Sequence, residues 1–400
     1  MIQFYPEREE QAGNGAPGRI YCSELESIRD FLIAEYAGKV QLVYMDPPFG
    51  TGDHFVMRMK QGEGDWKSGN ASVTLPAYDD DLPLDEYLAM MRSAISLAHE
   101  LLSPTGSIFV HCDWHRSAHL RILLDEIFGE RNFVNEIIWV YQTGGRSRRH
   151  FSRKHDNIFF YRKSSKLFFD SESVSAPRGA RDNHLKRHVD SDGRVYRSVR
   201  TAGKVYTYYD DEPVPPSDVW DDVSHIQQRD PRRTGYDSQK PGALMERIVK
   251  CASREGDLVV DLFCGSASMP AAASRLGRRY LGVDKSTTAM HASMRTLADN
   301  PAVFYSAASS DSAWCKAEFV MGIADYVFHI NDFEGGLDKI DSWAAGYYID
   351  GAFQSMTSEM RTSQKKGKLT FTLHFPIRMG IPAIRISDTS ARQLYFRLEE

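Results

Sequence analysis

The chain has 400 residues, of which 42% are hydrophobic and 26% are charged, and its net charge is −5. This composition is typical of a globular protein built around a large α/β domain, and an acidic net charge alone argues against nucleic acid as a partner. The five cysteines are scattered without a CxxC pair, which excludes a disulfide framework or a cysteine metal site. No long apolar run occurs and Met1 to Glu10 is charged, which predicts no membrane contact and a cytoplasmic location.

The first predicted elements are a strand, a helix and a second strand. Arg19 to Cys22 is a short strand, and the amphipathic helix after it has Ser23 as its predicted N-cap. Gln41 to Met45 is largely apolar, which predicts a strand buried in a parallel sheet. This strand must end at Asp46, because Pro47 and Pro48 cannot donate hydrogen bonds to a sheet.

Asp46, the two prolines and Phe49 form a motif that suits the binding of a planar aromatic amine. The Asp46 carboxylate and the Pro47 carbonyl can accept the two hydrogens of an exocyclic amino group, while Phe49 covers the ring. Holding both hydrogens localises the nitrogen lone pair and orients it for attack. The alternative interpretation is a proline-rich turn in which Asp46 caps the backbone.

The next 110 or so residues continue the α/β pattern. Asp53 to Asp81 has little periodicity and is interpreted as a loop that closes over substrate, and a helix follows from Leu84 to Leu102. Three strands are predicted at Gly106 to Cys112, Glu136 to Val140 and Asn157 to Tyr161. The polar residues that follow the first of these strands do not have the pattern of a metal site, and we predict none.

A basic segment lies within this acidic protein. From Gln142 to Lys204 there are 16 Lys and Arg residues against six Asp and Glu residues, as expected of a phosphate-binding surface. The glycine-bearing loop at its start suits backbone phosphates, and a hairpin with alternating arginine and tyrosine suits base edges. A solvated, nonfunctional loop is the alternative. The predicted DNA-binding residues are Arg146, Arg148, Arg149, Arg194, Arg197 and Arg200.

A strand, a glycine turn, a helix and a second strand follow the basic segment. Leu258 to Phe263 is a buried strand, and Gly265 in the turn after it permits a close approach of the backbone to a ligand. The second strand ends at Asp284, about 20 residues beyond that turn, where folds of this kind bind ribose hydroxyls. Beyond this unit, alternating patterns within residues 300–400 predict a small α+β appendage.

Five motifs occur in an order that resembles the β class of amino-group DNA methyltransferases, in particular the adenine-specific modification methyltransferases of restriction-modification systems. They are Asp46-Pro47-Pro48-Phe49, Gly106 to Trp114, Lys154 to Asn157, Gln239-Lys240-Pro241 and Asp261 to Ser266. The resemblance implies a Rossmann-like α/β fold with a seven-stranded mixed sheet, a circularly permuted motif order and S-adenosylmethionine as cofactor. It assigns catalysis to Asp46, Pro47, Pro48 and Phe49, and cofactor binding to Lys240, Asp261, Phe263, Gly265, Ser266 and Asp284.

The resemblance also divides the chain into four parts. Residues 1–163 are the catalytic half of the methyltransferase domain, 164–235 an inserted target-recognition module, 236–299 the cofactor-binding half and 300–400 the appendage. The implied partner is double-stranded DNA. A second copy of the chain and a restriction or specificity subunit are left open as further partners.

The implied reaction is site-specific methyl transfer to adenine N6 of a base flipped out of duplex DNA. Cytosine N4 is the alternative, because its amino group presents the same pair of hydrogens. Two departures from the class leave a third possibility open. Ala267 stands where the class has a second glycine, and Cys22-Ser23 where Gly-Asp is frequent. A weakly active or inactive methylase-like DNA-binding subunit of a modification complex would have such changes.

Overall fold

The computed structural model describes residues 18–63, 72–141, 148–177, 185–226, 230, 233–298, 300, 302–306, 313–349, 352–362 and 364–398, together with the backbone of residues 5–9. Within these ranges the α-helices are α1 (Leu25–Tyr36), α2 (Leu84–Leu101), α3 (Ser117–Phe128), α4 (Gly242–Ala252), α5 (Ser268–Arg275) and α6 (Thr287–Thr296). None of the helices in these ranges is long and apolar enough to cross a membrane.

The strands of the first 220 residues are β1 (Tyr5–Glu9), β2 (Gly18–Cys22), β3 (Val40–Met45), β4 (His54–Lys60), β5 (Ser72–Asp79), β6 (Leu102–Cys112), β7 (Phe133–Val140), β8 (His155–Arg162), β9 (Ala176–Pro177), β10 (Arg187–Val189), β11 (Val195–Thr201), β12 (Lys204–Tyr209), β13 (Pro213–Val214) and β14 (Val219–Trp220). The later strands are β15 (Leu258–Asp261), β16 (Arg279–Asp284), β17 (Ala302–Ser306), β18 (Cys315–Met321), β19 (Asp325–Phe333), β20 (Ile340–Ile349), β21 (Ala352–Met360), β22 (Thr372–Pro376), β23 (Ile381–Asp388) and β24 (Gln393–Arg397).

Fourteen of these strands form one sheet, in the order β14-β7-β8-β6-β3-β15-β16-β2-β17-β1-β21-β20-β23-β24. The seven strands from β7 to β2 in that order are parallel except for β8, which is antiparallel to both of its neighbours. This is the mixed seven-stranded sheet that the sequence predicted. Strand β3, which precedes the Asp46 motif, comes early in the chain, and its neighbour β15, which precedes the glycine turn, comes more than 200 residues later. This confirms the permuted order of the motifs.

Helices cover both faces of this sheet. Because successive side chains of a strand point to opposite faces, each central strand contributes to two cores. On β3, Leu42 and Tyr44 pack in one core with residues of α4, α5 and α6. Val43 and Met45 pack in a second core with residues of α1, α2 and α3. A strand buried on both faces has no polar alternation, and this explains the continuous apolar run that was read from the sequence.

Two local predictions about this half of the protein were wrong. Ser23 is not an N-cap: its backbone N–H donates to the Asp284 carbonyl (2.9 Å), which extends the pairing of β2 with β16, and α1 begins only at Leu25. The segment from Asp53 to Asp81 is also not an irregular loop throughout, since β4 and β5 pair as an antiparallel hairpin. Packing between the two strands stabilises this hairpin, because Phe55 stacks on Tyr78 with 4.7 Å between the ring centroids. The spacing of apolar residues in the sequence does not reveal such a contact.

The basic hairpin and its surroundings form small sheets beside the main one. The antiparallel pairing of β11 with β12 confirms the predicted hairpin, with its turn at Ala202-Gly203, and β10 adds a third strand. The short strand β14 follows this region in the chain and pairs in parallel with β7, at the edge of the main sheet. The boundaries of the predicted recognition module stay a prediction.

The C-terminal region was predicted as a small α+β appendage. In its described residues between 300 and 398 we find strands and one short 3-10 turn, Leu337–Lys339, but no α-helix. Strands β21, β20, β23 and β24 continue the main sheet, and β18, β19 and β22 form a separate sheet that covers a third apolar core around Trp343 and Tyr347. The prediction of a helical component was therefore wrong, because these segments alternate with a period of two and are rich in aromatic residues.

Candidate active site

Asp46 lies at the carboxyl edge of the main sheet, between the ends of β6 and β15. The strand stops there because Pro47 and Pro48 lack the N–H groups that a further ladder would need. The side chain of Asp46 is 14% exposed, and its Oδ2 accepts a hydrogen bond from Nζ of Lys240 at 2.5 Å. Its Oδ1 atom is buried, and no described group donates a hydrogen bond to it. One carboxylate oxygen is thus anchored and the other is an unused acceptor.

Phe49 lies on a platform of buried polar residues. Its ring stacks on His111, with 5.8 Å between centroids and 25° between planes, and Nζ of Lys240 lies 5.2 Å from its centroid. His111 is fully buried and is held at both ring nitrogens, by the Tyr44 hydroxyl at Nδ1 (2.9 Å) and by Asp156 at Nε2 (3.0 Å). The position of the Phe49 ring is therefore set by a hydrogen-bonded network beneath it.

The charges of this network fix the proton positions. Burial raises the pKa of Asp156, but the hydrogen bond and charge of His111, together with Lys240 and Tyr141, outweigh burial and hold that pKa below its usual value. An ionised Asp156 only accepts, so Nε2 of His111 carries a proton. Burial, reinforced by nearby carboxylates, raises the pKa of Tyr44 well above its usual value, so its hydroxyl keeps its proton beside Nδ1 of His111.

The loop after the motif is fixed by Asp80, which the sequence analysis did not single out. Asp80 is 1% exposed, and its carboxylate accepts hydrogen bonds from the backbone N–H groups of Gly50 (2.7 Å) and Thr51 (3.0 Å) and from the Thr51 hydroxyl. Gly50 has φ +70°, and a Cβ there would lie 2.2 Å from the Arg116 guanidinium. Within the run Asp79 to Asp81, burial alone distinguishes this residue, so only the tertiary structure reveals it.

A second group of predicted residues lies at the ends of β15 and β16, next to Asp46. The Asp284 carboxylate accepts hydrogen bonds from the backbone N–H groups of Gly265 and Ser286, both at 2.9 Å, and so fixes the turn that follows β15. Asp261 is 3% exposed and accepts from the N–H of Phe263 at 3.1 Å. Phe263 is partly exposed at the same turn, and Ser266 is buried in it.

Ala267, the first departure from the class, has φ 58° and ψ 35° and is fully buried. This left-handed conformation favours glycine, and a residue with a Cβ adopts it at a cost of about 1–2 kcal/mol. The turn therefore keeps the backbone of a glycine turn although its sequence has changed. The departure thus places a residue with a Cβ in a conformation that favours glycine.

Three carboxylates, those of Asp46, Asp261 and Asp284, lie at this edge. Burial raises the pKa of Asp261 well above its usual value, and the charges of Asp46 and Asp284 raise it further against the hydrogen bond from Phe263 and the charge of Lys240. Burial likewise raises the pKa of Asp284. Such a site favours a ligand that brings positive charge and hydroxyl donors.

The predicted DNA-binding residues differ in their surroundings. Arg146 lies outside the described residues, while Arg148 and Arg149 are exposed in the loop between β7 and β8. In the hairpin region, Arg194 forms a bidentate ion pair with Asp211 at 2.8 Å, and Arg197 is 8% exposed and lies 3.4 Å from Asp210. Arg200 is exposed. Among the described arginines, Arg194 and Arg197 thus lie beside carboxylates of the same region, while Arg148, Arg149 and Arg200 lie at the surface.

A cavity of about 220 Å³ opens beside the Asp46 site. Trp139, which meets the His111 ring edge-on at 5.7 Å, is part of its wall. Pro241, next to Lys240 in the chain, is another part. The other lining residues are His225, Ile226, Arg233, Asp237 and Gln239.

A family model described as DNA methylase matches residues 40–295, which is well over half of the chain. The chain belongs to this DNA methylase family. Members of the family transfer methyl groups to the N6 or N4 amino group of DNA bases and depend on S-adenosylmethionine. The match spans both the Asp46 motif and the turn after β15, so it covers the whole candidate site.

Individual relatives agree with the family. The chain is 29% identical over 308 residues to the type II methyltransferase M.EcaI of Enterobacter cloacae, which covers 65% of each protein. It is 23% identical over 263 residues to the DNA adenine methyltransferase YhdJ of Escherichia coli K12, covering 65% of this chain and 77% of the relative. M.HpaI of Haemophilus parainfluenzae is 25% identical over 246 residues, covering 61% of this chain and 64% of M.HpaI. The chain thus spans less than two thirds of M.EcaI and of M.HpaI.

Among solved structures, the putative DNA modification methylase TTHA0409 of Thermus thermophilus, complexed with S-adenosyl-L-methionine, aligns with a TM-score of 0.43 at 18% identity. The alignment covers 74% of this chain and all of that one.

Proposed function

We propose that this protein transfers a methyl group from S-adenosylmethionine to N6 of an adenine flipped out of duplex DNA. The observation that carries the proposal is the unpartnered, buried Oδ1 of Asp46, next to a ring that is held in place and beside the turn after β15. A base within the helical stack cannot reach an acceptor at this depth, so the target base must leave the duplex.

The chain's own residues account for binding and orientation of the base. Oδ1 of Asp46 and the carbonyl of Pro47 accept the two amino hydrogens, and Phe49 stacks on the base, an interaction worth about 1–3 kcal/mol. Lys240 holds the other carboxylate oxygen, so that Asp46 does not rotate to follow its ligand. Because the Phe49 ring stacks on the buried His111, its orientation is fixed before the base binds. A base that stacks on Phe49 therefore takes the plane of that ring.

The residues near Asp46 fit S-adenosylmethionine, because that molecule is cationic at sulfur and has ribose hydroxyl donors. When bound, it supplies an electrophilic methyl group. Asp284 would accept the ribose hydroxyls with its remaining lone pairs, and the positive charge of the cofactor would offset the charges of Asp46 and Asp284, which raise the pKa of Asp261. Gly265 has φ +47° and Ala267 is left-handed, so the backbone turns sharply at this point.

Adenine is proposed over cytosine because Asp, not Ser, stands at the head of the motif and because the relative YhdJ is named a DNA adenine methyltransferase. As M.EcaI is named a type II methyltransferase, we also propose that a restriction nuclease with the same recognition sequence is a functional partner. Action in the cytoplasm and self-association stay proposals.

The test is to sequence DNA from cells that express the protein, with detection of modified bases. We expect N6-methyladenine at one short recognition sequence, and none in cells that express Asp46→Ala. Detection of N4-methylcytosine in place of N6-methyladenine would show that the same site acts on cytosine. Absence of any modified base, together with sequence-specific retention of DNA by the purified protein, would contradict the proposal and indicate a DNA-binding subunit without activity.

A further inference from the structure

Phe151 is 98% exposed. The other exposed aromatic side chains of the described residues are each less than half exposed: Phe31, Trp114, Phe169, Tyr206 and Trp314. Scattered exposed apolar residues are common on proteins, and exposure alone would mean little. The surroundings of Phe151 distinguish it, because Arg148, Arg149 and Arg153 lie within three residues of it in the same loop.

The loop that carries Phe151 begins and ends at the edge of the sheet where Asp46 lies. Strand β8 starts at His155 and pairs with β6 through Asn157 and Cys112, while β6 pairs with β3 through Val110 and Met45. The first residues of β8 are therefore at the same level as the end of β3. The loop therefore starts and ends at the sheet edge that carries the candidate amine site.

The base of the loop is fixed by direct contacts. The backbone N–H of Tyr141 donates to the Lys154 carbonyl at 3.0 Å, which closes the loop. The guanidinium of Arg153 stacks on the Trp114 ring, 3.8 Å from its centroid. The Tyr141 hydroxyl donates to Asp156 at 3.0 Å, and Asp156 in turn holds the His111 that supports Phe49. The loop base and the proposed base-stacking ring thus belong to one hydrogen-bonded unit.

We propose that Phe151 enters the DNA duplex and fills the gap left by the flipped base. This inference rests on the proposed function and adds a residue to it. Extruding a base exposes the faces of the two neighbouring base pairs, and an inserted aromatic ring restores stacking on both. The arginines around Phe151 would hold the phosphates on either side, so that insertion occurs next to the Asp46 site.

The experiment compares Phe151→Ala with the unaltered protein on the recognition site found by sequencing. With a normal duplex, we expect the rate of methyl transfer at low substrate concentration to fall about 5- to 150-fold, the loss of one aromatic stack. With a duplex that has an abasic position opposite the target, extrusion is easier, and the two proteins should differ by no more than about twofold. Phe151→Trp should retain most of the duplex activity.

Fluorescence supplies a readout that does not depend on catalysis. With 2-aminopurine at the target position, the unaltered protein should raise the fluorescence on binding, and Phe151→Ala should raise it less at saturating protein. Ile122→Ala, which removes a 62% exposed apolar side chain from α3, is the matched control and should behave as the unaltered protein.

Equal rates of Phe151→Ala and the unaltered protein on the normal duplex would overturn the inference. An equal loss on the normal and the abasic duplex would also overturn it, because the residue would then act in general DNA binding. No transfer to either duplex by the unaltered protein would contradict the proposed function instead, and the 2-aminopurine signal would still decide whether Phe151 takes part in extrusion.

Discussion

The Nζ atom of Lys240 lies 2.5 Å from Oδ2 of Asp46, although the two residues are 194 positions apart in the chain. Both side chains are nearly buried, so this ion pair is little screened by solvent. Lys240 was predicted to bind the cofactor, whereas its contacts in the structure are with Asp46 and with the ring of Phe49. We therefore interpret it as a positioning residue for the amine site.

Removal of either partner of this pair should distinguish the two interpretations of Lys240. Asp46→Ala should abolish methyl transfer and leave S-adenosylmethionine affinity within a few-fold. Lys240→Met should lower kcat by about 10- to 100-fold, the loss of one charged hydrogen bond, with the same small effect on affinity. Single-turnover kinetics measures the rate of methyl transfer, and calorimetry measures the affinity for S-adenosylmethionine. If Lys240→Met weakens cofactor binding as much as catalysis, Lys240 contacts the cofactor.

Ala267→Gly should relieve the left-handed strain at the turn after β15 and raise the free energy of unfolding by about 1 kcal/mol. Ala391→Gly is the matched control, because Ala391 has φ 61°, is 4% exposed and lies in the turn between β23 and β24. Both variants should gain stability in urea unfolding. A gain in S-adenosylmethionine affinity for Ala267→Gly alone would show that the methyl group costs binding; equal affinities would show that the site tolerates it.

Asp284→Asn should weaken S-adenosylmethionine binding by about 1.5–3 kcal/mol, the value of a hydrogen bond to a charged group. Asparagine retains one oxygen to accept from a backbone N–H group, so the turn around Gly265 is disturbed less than by alanine. Calorimetry measures the change, and circular dichroism checks the fold. Unchanged affinity would place the cofactor elsewhere.

The arginines of the basic segment should divide into two groups. Neutralising Arg146, Arg148 and Arg149 together should weaken specific and nonspecific DNA alike, and reduce the slope of log K against log salt by as much as about 2.7. Replacing Arg200 should instead change which sequences are methylated, since Arg194 and Arg197 already pair with acidic residues. An unchanged slope in the triple variant would indicate an ordinary solvated loop. A site preference that survives loss of Arg200 would assign sequence reading elsewhere.

A buried charge cluster joins the C-terminal strands to the methyltransferase sheet. Asp341 of β20 accepts hydrogen bonds from His291 (2.9 Å) and Arg295 (2.7 and 2.5 Å), both on α6. Burial raises the pKa of Asp341, but the charge of Arg295 and the hydrogen bonds of His291 and Arg295 outweigh burial and hold it well below its usual value. The ionised carboxylate is thus part of the folded structure.

The stability that this cluster contributes should depend on pH. Because the folded pKa of Asp341 is below the unfolded value of about 3.9, the contribution is present above that pH and is lost as the pH falls toward the folded pKa. Asp341→Asn should lower the free energy of unfolding at pH 7 by about 3–5 kcal/mol and flatten its dependence below about pH 4. The exposed pair of Arg92 and Glu126 is the control, and Glu126→Gln should change stability by less than about 1 kcal/mol. If Asp341→Asn and Glu126→Gln changed the free energy of unfolding equally, the buried cluster around Asp341 would not make the predicted contribution to stability.

The sequence alone determined the central fold, because its signals are local. The apolar runs at Gln41 to Met45 and Leu258 to Phe263 predicted strands buried on both faces, and Pro47 and Pro48 fix where the first of them ends. The second strand ends at Asp261, two residues earlier than predicted. The permuted order of the sheet was implied by the resemblance of the motif order to the β class. The same local logic found the basic hairpin, whose Ala202-Gly203 turn has both residues at positive φ.

Only the tertiary structure decided which polar residues act together. The sequence does not distinguish Asp80 from Asp79 and Asp81, yet burial makes Asp80 the one that fixes the loop after Phe49. Lys240 reaches Asp46 because β3 and β15 are neighbours in the sheet while α4 precedes β15. Strands β17, β21, β20, β23 and β24 extend the main sheet because β1 pairs with both β17 and β21, a contact between distant segments that no local pattern encodes.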